Sequence, residues 1–378
     1  MSTKVSDREA PRAEPDARDR RTLDKINALA MEALAAVRAG KNPALSIPVR
    51  ALSNVSFDEV KRLLRLGDAK QSRQFFHYKQ AKLFMQTFLI AERCKKLIEE
   101  GATTSIRDIY YDAKHGVAGT KENTFEEQSE SDPIIEDLEV TIDALREELH
   151  LRAENRGAMV GPMSVVDTGD TIDLRRMGSG GWSVPSIVED NRIRFVTHEA
   201  EFVLFVEKGA VWARLNEDRF WQRHKCMLVH GNGMAARGTR RLLRRMNEEL
   251  KLPLYVLTDN DPWGFYIYSV IKQGSINLAY ESMRMAVPRA RFLGLSSFDA
   301  EAFGLSARVS MALKDEDRAR IEQMVKYEWF REKRWQDELL KMKKSEKKYE
   351  LEALSSRGIR FITEEYIPQK IREKRWLE

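Results

Sequence analysis

The sequence has 378 residues, of which 42% are hydrophobic and 33% charged, with a formal net charge of +5; this composition is typical of folded globular proteins and excludes a fibrous or wholly disordered chain. No uncharged stretch approaches the roughly 20 residues of a membrane-spanning helix, the N-terminus lacks the apolar core of a signal peptide, and the cysteines Cys94 and Cys226 are too few for a disulfide scaffold. We therefore expect a cytoplasmic protein of two or three domains.

The first third of the sequence has mainly helical patterns. Residues 1–21 mix charges with Pro and Ala and are predicted to form a disordered tail. Apolar residues recur at helical spacing over 23–37 and over 78–100, and Gly101 is placed to end the second helix. Residues 103–105 offer N-cap oxygens to a short helix that follows directly. Two helices joined by a tight turn that contains Gly are the outline of a helix-turn-helix or winged-helix unit.

The pattern then changes to a mixture of strands and helices. A helix is predicted over 134–151, and residues 157–196 have the pattern of short strands separated by Gly, Asp and Pro. After them, apolar strands alternate with helices, which predicts a mostly parallel, Rossmann-like sheet. These strands are predicted at 202–207, 226–231, 254–259 and 289–295. A charged helix is predicted over 314–352. The expected fold class is α+β or α/β with several domains.

Three acidic residues, Glu207, Asp259 and Asp261, follow strands of the predicted sheet. In open α/β sheets, ligands collect at the carboxyl ends of the strands. Two carboxylates at i and i+2 repel each other by about 3 kcal/mol at an effective dielectric near 20, and a divalent cation would remove that cost. Carboxylate oxygens favour Mg²⁺ over Zn²⁺. The alternative for Asp259 and Asp261 is helix capping, because Pro262 begins the next predicted helix.

The short helix after the turn carries two tyrosines on different faces. Ile106, Ile109 and Tyr110 share one face, which we predict to be buried. Tyr111 faces elsewhere, and Arg107 lies one turn before it. A phenol with a pKa near 10 is only about 0.1% ionised at neutral pH, so a nucleophilic tyrosine needs a cation close by. Taken alone, an exposed tyrosine among basic residues is more often ordinary surface.

The two halves of the chain together resemble a known family. The runs VEKG at 206–209 and TDNDPWG at 258–264 are similar to the Toprim domain of topoisomerases, primases and related nucleases. A helix-turn-helix unit with the run SIRDIYYDAKH, followed by that domain, resembles the A subunit of DNA topoisomerase VI and the related meiotic double-strand-break transesterase. The resemblance extends from about residue 78 to the C-terminus, and the run through TDNDPWG is its most distinctive part.

The resemblance implies a division into four segments. Residues 1–70 would form a tail and a helix that dock on a B subunit, and residues 71–152 a winged-helix (CAP-like) DNA-binding domain with the catalytic tyrosine. Residues 153–197 would form a β-rich connector. Residues 198–378 would form the Toprim domain with C-terminal helices.

The resemblance also implies the chemistry of a DNA-cleaving subunit of an ATP-dependent type IIB topoisomerase, an isomerase that makes a transient 5′-phosphotyrosyl double-strand break for duplex passage, relaxation and decatenation. Tyr111 is then the nucleophile, and Arg107 stabilises the phosphate. Mg²⁺ is held by Glu207, Asp259 and Asp261, and Glu207 is also the candidate general acid/base.

The implied partners are double-stranded DNA, a second copy of the chain and an ATPase B subunit in an A2B2 heterotetramer. The sequence has no GxxxxGK[ST] loop, so ATP would bind to another polypeptide.

Basic residues near the predicted site allow two interpretations. Five arginines between 237 and 245 crowd one helix, opposite apolar residues. They form either a solvated face or a contact with the DNA backbone through Arg237, Arg241 and Arg244, together with Lys208.

Three other functions stay open at this point. A break-forming transesterase that does not reseal would not relax supercoiled plasmid with an ATPase partner. A Toprim nuclease or primase that uses metal-bound water would cleave without a tyrosyl adduct. A winged-helix DNA-binding protein whose acids only cap helices would work without Mg²⁺.

Overall fold

A computed structural model describes residues 16–153 and 155–378, and its chain divides into two compact units. Of the described residues, the first unit takes in 16–54 and 66–153, and the second takes in 55–65 and 155–378. Most of the predicted N-terminal tail, residues 1–15, lies outside the described residues.

Helices supply most of the ordered structure between residues 17 and 152. The helices are α1 (Ala17–Arg38), α2 (Ala81–Glu100), α3 (Ile106–Ala113) and α4 (Ser131–Thr141). The strands are β1 (Ala44–Pro48), β2 (Val55–Asp58), β3 (Leu63–Leu66), β4 (Lys70–Gln74), β5 (Thr104–Ser105) and β6 (Leu151–Arg152). Strand β1 pairs antiparallel with β4, β5 pairs parallel with β6, and β2 pairs with β3.

The core of the first unit forms where α2, α3 and α4 pack together. Ile90, Cys94 and Ile98 lie one turn apart on α2 and are buried in one cluster with Ile109 of α3 and Leu138 of α4. This spacing is the period of an amphipathic helix, which explains why the sequence predicts α2 and α3 correctly.

The turn between α2 and α3 follows from its residue types. Gly101 ends α2 with a φ of 65°, in the left-handed region that glycine adopts without strain. Ser105 caps α3, because its hydroxyl accepts from the Asp108 N–H while the Asp108 carboxylate accepts from the Ser105 N–H. The predicted helix, tight turn and second helix are confirmed.

Two predicted boundaries in this unit are wrong. Helix α1 begins at Ala17 because Asp16 caps it, so residues 17–21 are helical and do not belong to a disordered tail. The helix predicted over 134–151 ends at Thr141, since Asp143 has a φ of 46°. The apolar residues that follow are still buried, but in a turn and a 3₁₀ segment, and a 3.6-residue period does not distinguish these from a helix.

The second unit combines a central sheet with helices on both faces. Its strands after residue 155 are β7 (Ala158–Val160), β8 (Met163–Asp167), β9 (Asp170–Asp173), β10 (Trp182–Ser183), β11 (Ile193–His198), β12 (Phe202–Val206), β13 (Cys226–His230), β14 (Leu254–Leu257), β15 (Arg291–Phe292), β16 (Met311–Ala312) and β17 (Lys347–Lys348). Its helices are α5 (Gly209–Glu217), α6 (Phe220–Arg223), α7 (Arg237–Glu249), α8 (Pro262–Gln273), α9 (Ser282–Met285), α10 (Ser297–Ala302), α11 (Asp315–Lys326), α12 (Lys333–Ser345) and α13 (Ile367–Arg372).

The central sheet has six strands in the order β10-β7-β13-β12-β14-β15. Strands β13, β12, β14 and β15 are parallel neighbours, which confirms the predicted parallel sheet. Strands β7 and β10 join one edge in antiparallel pairing. Strands β11, β8 and β9 form a separate antiparallel sheet, so the predicted β-rich character of 157–196 is also confirmed.

Both faces of the central sheet are covered by apolar clusters. On β12, Val203 and Phe205 belong to one cluster, and Leu204 and Val206 belong to the other. All four side chains are buried, as expected for a parallel strand between two layers of helices. The sheet and its helices give an α+β fold.

The charged stretch 314–352 is not the single helix that we predicted. Helix α11 ends at Lys326, a 3₁₀ turn follows at Glu328–Phe330, and α12 ends before β17. The interruption lets Phe330 and Trp335 enter the core. Trp335 stacks on Tyr268 and contacts Phe292 edge-on.

Among the residues that the structure describes, none forms a helix of the length and apolarity that crossing a membrane requires.

Candidate active site

The two adjacent tyrosines of α3 have different environments. Tyr110 is 5% exposed, and its hydroxyl donates to the Glu126 carbonyl at 2.9 Å and accepts from Lys114 Nζ at 2.9 Å. Tyr111 is 60% exposed. The predicted burial of Ile109 and Tyr110 and the exposure of Tyr111 are confirmed.

The basic residues of α3 are distributed unequally between these tyrosines. The hydrogen bond to Tyr110 raises the pKa of Lys114, and the same ammonium also donates to the Glu126 carbonyl at 2.7 Å. Lys114 therefore binds the hydroxyl group of the buried Tyr110. Arg107 is exposed and lies one helical turn before Tyr111. Tyr111 also contributes to the raised pKa of Lys114, so Lys114 accompanies Tyr111 as well, and Arg107 is the more exposed of the two cations.

In the second unit, Glu207 and Asp259 lie at the carboxyl ends of neighbouring strands. Val206 pairs with Leu257 where β12 and β14 run parallel, so Glu207 directly follows this pair on β12 and Asp259 follows it by two residues on β14. The Glu207 N–H donates to the Leu257 carbonyl at 3.0 Å, and the Asp259 N–H lies 3.4 Å from Glu207 Oε2. The parallel pairing thus brings together two acids that are 52 residues apart.

Asp261 caps helix α8. Its backbone is extended, its Oδ1 accepts from the Gly264 N–H at 2.6 Å, and Pro262 occupies the first turn. The capping interpretation is therefore correct for Asp261. The cap uses one carboxylate oxygen, and a metal interaction through the other is compatible with it.

Asp259 is 5% exposed and is held from two sides. Its Oδ1 accepts from the Leu351 N–H at 2.8 Å, and its Oδ2 lies 2.9 Å from Lys208 Nζ. Asp259 therefore contacts a backbone amide and an ammonium group, and it does not cap α8.

The three acids are poorly compensated. Burial, with repulsion from Asp259 and Asp261, raises the pKa of Glu207 to about 7. Burial raises the pKa of Asp259 to about 6 and also raises the pKa of Asp261. The raised pKa values mean that ionising these three carboxyl groups costs more free energy in the pocket than it does in water.

The donor set of this pocket fits a hard divalent cation. Its side-chain donors are carboxylate oxygens, the ligands that Mg²⁺ prefers, and added positive charge would relieve the repulsion that raises their pKa values. Over residues 16–153 and 155–378, however, no three His, Cys, Asp or Glu side chains converge into a preformed cage. Binding would therefore require side-chain rearrangement.

A segment near the C-terminus also reaches this pocket. Tyr349 and Asn260 exchange two backbone hydrogen bonds of 2.9 and 3.1 Å, and the Leu351 amide follows. Lys208 Nζ lies 2.9 Å from Glu352 Oε2 and 3.4 Å from Glu350 Oε2. No motif in the sequence of this segment indicates a site.

The arginines of α7 are buried or partly buried and bind groups of the protein. Arg237 and Arg240 are buried and both pair with Glu281. Arg241 binds Glu189 through two hydrogen bonds of 2.7 and 2.9 Å, and Arg244 donates to the Ala286 carbonyl at 2.6 Å. Of the two interpretations, the solvated face is wrong, because these guanidinium groups tie α7 to neighbouring segments. The same pairing counts against the prediction that Arg237, Arg241 and Arg244 contact DNA.

Three family models match successive parts of the chain. Residues 82–151 match a model described as "Type IIB DNA topoisomerase", and residues 153–199 match the all-beta domain of the DNA topoisomerase VI alpha chain. Residues 202–371 match the Toprim domain that Spo11 shares with the A subunit of topoisomerase 6. The third model contains Glu207, Asp259 and Asp261, and the first contains Tyr111.

Curated relatives match nearly the whole chain. A Pyrococcus horikoshii protein is 42% identical over 367 residues, which cover 94% of this chain and 95% of the relative. A Hyperthermus butylicus protein is 41% identical over 92% of this chain and 93% of its own length. A Methanocaldococcus jannaschii protein is 33% identical, with coverage of 93% and 95%. Each is named as the A subunit of type 2 DNA topoisomerase 6. This chain therefore belongs to the family of topoisomerase VI A subunits.

Proposed function

We propose that this chain, as the DNA-cleaving subunit of a type IIB DNA topoisomerase, cuts DNA by transesterification with Tyr111 as the nucleophile. The observation that carries the proposal is the contrast within α3, where Tyr110 is buried and hydrogen-bonded while Tyr111 presents its phenol to solvent. A nucleophile that must reach a DNA backbone has to be accessible, and of these two tyrosines only Tyr111 is.

The reaction exchanges one phosphodiester for another. Tyr111 Oη attacks the backbone phosphorus and loses its proton, and the bond from phosphorus to the 3′ oxygen breaks. The 3′ oxygen takes up a proton, and the 5′ end stays attached to the tyrosine. Because the bond energy is conserved, attack by the 3′-hydroxyl reverses the step and reseals the strand without a ligase.

Arg107 and the acids have separate roles in this proposal. The Arg107 guanidinium, one turn from Tyr111, holds a phosphate oxygen and stabilises the phenolate. Glu207, Asp259 and Asp261 would hold Mg²⁺, which when bound supplies positive charge beside the phosphoryl and leaving oxygens. Glu207 is the candidate to hand the proton to the leaving oxygen, and Lys208 is the weaker candidate for that step and for a phosphate contact.

The domain division predicted from the sequence is part of the proposal. Helices α2 and α3 belong to a winged-helix DNA-binding domain over 71–152, residues 153–197 form the connector, and the Toprim domain follows over 198–378.

Each protomer cuts one strand, so a homodimer is needed for a double-strand break. In it, Tyr111 of one protomer meets the acids of its partner. A cytoplasmic location stays a prediction from the sequence.

An apolar patch in the first unit supports docking of an ATPase B subunit, in an A2B2 assembly. On α1, Met31, Leu34 and Val37 are 57%, 40% and 54% exposed, and Leu34 and Val37 line a shallow groove with Phe75 and Phe84. Exposed apolar side chains that lie together mark interaction surfaces more often than scattered ones do. This patch includes part of the region 1–70 that is predicted to dock on the partner.

Paired phenylalanine variants test the choice of nucleophile. With the ATPase partner and Mg²⁺ present, we expect Tyr111→Phe to abolish the covalent protein–DNA adduct while DNA affinity changes less than about two-fold. Tyr110→Phe is the matched control and should keep the adduct, although it loses the hydrogen bond to Glu126. Adduct that persists in Tyr111→Phe and disappears in Tyr110→Phe would overturn the proposal.

A further inference from the structure

The ammonium group of Lys208 lies among three carboxylates. Nζ is 2.9 Å from Asp259 Oδ2, 2.9 Å from Glu352 Oε2 and 3.4 Å from Glu350 Oε2. Lys208 follows Glu207 directly in the chain. The ammonium therefore occupies one side of Asp259, where it competes with any cation that uses this carboxylate.

The two glutamates are fixed beside Asp259 by the backbone and not by Lys208. Tyr349 and Asn260 exchange two backbone hydrogen bonds, and the Leu351 N–H donates to Asp259 Oδ1 at 2.8 Å. Glu350 and Glu352 flank Leu351 on this segment. The backbone that carries them therefore stays next to Asp259 whether or not Lys208 is bound to their carboxylates.

The fold gives no separate use for these two carboxylates. Glu350 and Glu352 have side chains that are 51% and 44% exposed, and in the described part of the chain their ion pairs are with Lys208. Two more negative charges beside Glu207, Asp259 and Asp261 add repulsion to a pocket in which Asp259 is buried and the other two acids are partly buried. A function for this placement must therefore involve Lys208 or a cation.

We propose that Glu350 and Glu352 are positioning residues for Lys208. When a divalent cation binds Asp259, the ammonium moves onto the two glutamates and stays beside the site, where it can meet a substrate phosphate. Without them, a cation would have to displace Lys208 from its single carboxylate partner. This inference rests on the proposed metal site of Glu207, Asp259 and Asp261.

The competing explanation is that the glutamates attract or ligate the cation themselves. In that case their removal weakens cation binding to the same extent with or without Lys208. If they act through Lys208, their removal matters only while the lysine is present. A double-mutant cycle separates the two explanations, because it measures whether the two effects depend on each other.

The experiment measures Mn²⁺ binding to the full chain without DNA, by electron paramagnetic resonance of the free ion. We expect Glu350→Gln with Glu352→Gln to weaken Mn²⁺ binding about five-fold, and Lys208→Met to strengthen it about three-fold. In the Lys208→Met background, the glutamate pair should change the affinity less than about two-fold. Lys208→Gln replaces Lys208→Met if the latter does not fold, as judged by cation-free thermal unfolding.

The control is Glu301→Gln with Glu322→Gln, which removes the same charge from acids that pair with Lys341 and Lys343. It should leave Mn²⁺ affinity unchanged. The inference is overturned if, in the Lys208→Met background, the glutamate substitutions still change the logarithm of the Mn²⁺ affinity by half or more of their change in the natural chain. It is also overturned if they change the Mn²⁺ affinity in neither background. If the natural chain binds Mn²⁺ no better than Asp259→Asn, the proposed metal site fails as well. If the natural chain binds Mn²⁺ better than Asp259→Asn but the effects of the Lys208 and glutamate substitutions are independent, this inference alone is refuted.

Discussion

The backbone N–H of Leu351 donates a 2.8 Å hydrogen bond to Oδ1 of Asp259, which lies 92 residues earlier in the chain. This contact makes the segment after α12 a wall of the acidic pocket. It also fixes one oxygen of a carboxylate that is 5% exposed, so the second oxygen is oriented before any ligand arrives.

Replacing Leu351 by proline tests this contact, because proline lacks the N–H. Leu351 is the first residue of a 3₁₀ segment and Glu350 before it is extended, so the backbone accepts proline there. Leu351→Ala is the control, since it loses the buried side chain and keeps the N–H. We expect Leu351→Pro to unfold about 1 kcal/mol more easily than Leu351→Ala in chemical denaturation, and to bind Mn²⁺ more weakly. Equal free energies of unfolding and equal Mn²⁺ affinities of the two variants would show that the hydrogen bond is unimportant.

Substitutions of Asp261 should separate its cap from its charge. Asparagine is also a good N-cap residue, so Asp261→Asn should change the free energy of unfolding by less than about 0.5 kcal/mol. Asp261→Ala loses the bond to the Gly264 N–H and should cost about 1 kcal/mol more. Both variants should lose at least about 100-fold in cleavage rate, since each removes a carboxylate. Full cleavage by Asp261→Asn would leave the residue with a capping role alone.

Stability without metal should depend on pH through Glu207. Its pKa rises from 4.5 to about 7 on folding, so between these values the folded chain binds a proton that the unfolded chain releases. This contribution to stability is fully present below about pH 4.5 and is lost as the pH rises through about 7.

Glu207→Gln removes the Glu207 part of this dependence, while the raised pKa values of Asp259 and Asp261 keep a smaller part of the same sign. At pH 8 we expect it to be more stable than the natural chain by about 1 to 3 kcal/mol, with a smaller difference near pH 4.5 and after addition of Mg²⁺. Denaturant titrations at both pH values measure these differences. Lower stability of Glu207→Gln at pH 8 would contradict the burial and repulsion that the structure shows.

Arg241 distinguishes a structural role of α7 from a DNA contact. Arg241→Met removes the two hydrogen bonds that Arg241 donates to the buried Glu189 carboxylate and should cost about 2 to 4 kcal/mol of stability. The salt dependence of DNA binding should stay the same. A fall of about one in the slope of log affinity against log salt would instead identify Arg241 as a phosphate contact.

Local patterns were sufficient to predict part of the site. Exposure of Tyr111 follows from the 3.6-residue period of a short helix, since Ile109 and Tyr110 occupy the buried face. Glu207 and Asp259 meet because both follow apolar strands that pair in parallel. In each case the deciding contacts lie within one helix or between neighbouring strands.

The contacts that sequence patterns missed join distant segments. Glu350 and Glu352 reach the site because Tyr349 pairs with Asn260, and no periodicity indicates such a pairing. The arginines of α7 look like a solvated face in sequence, but their partners, Glu189 and Glu281, come from other parts of the chain. Partners that are far apart in sequence decide whether a charge is exposed or buried.

Peptide mapping by mass spectrometry of a trapped protein–DNA adduct tests the assignment of Tyr111 most directly. The chain, its ATPase partner, DNA and Mg²⁺ are quenched with denaturant, and the adduct is digested with protease and nuclease. We expect a nucleotide joined through its 5′ phosphate to Tyr111, and no such product from Glu207→Gln. A nucleotide on Tyr110 or on any other residue, or cleaved DNA without a protein-linked nucleotide, would contradict it.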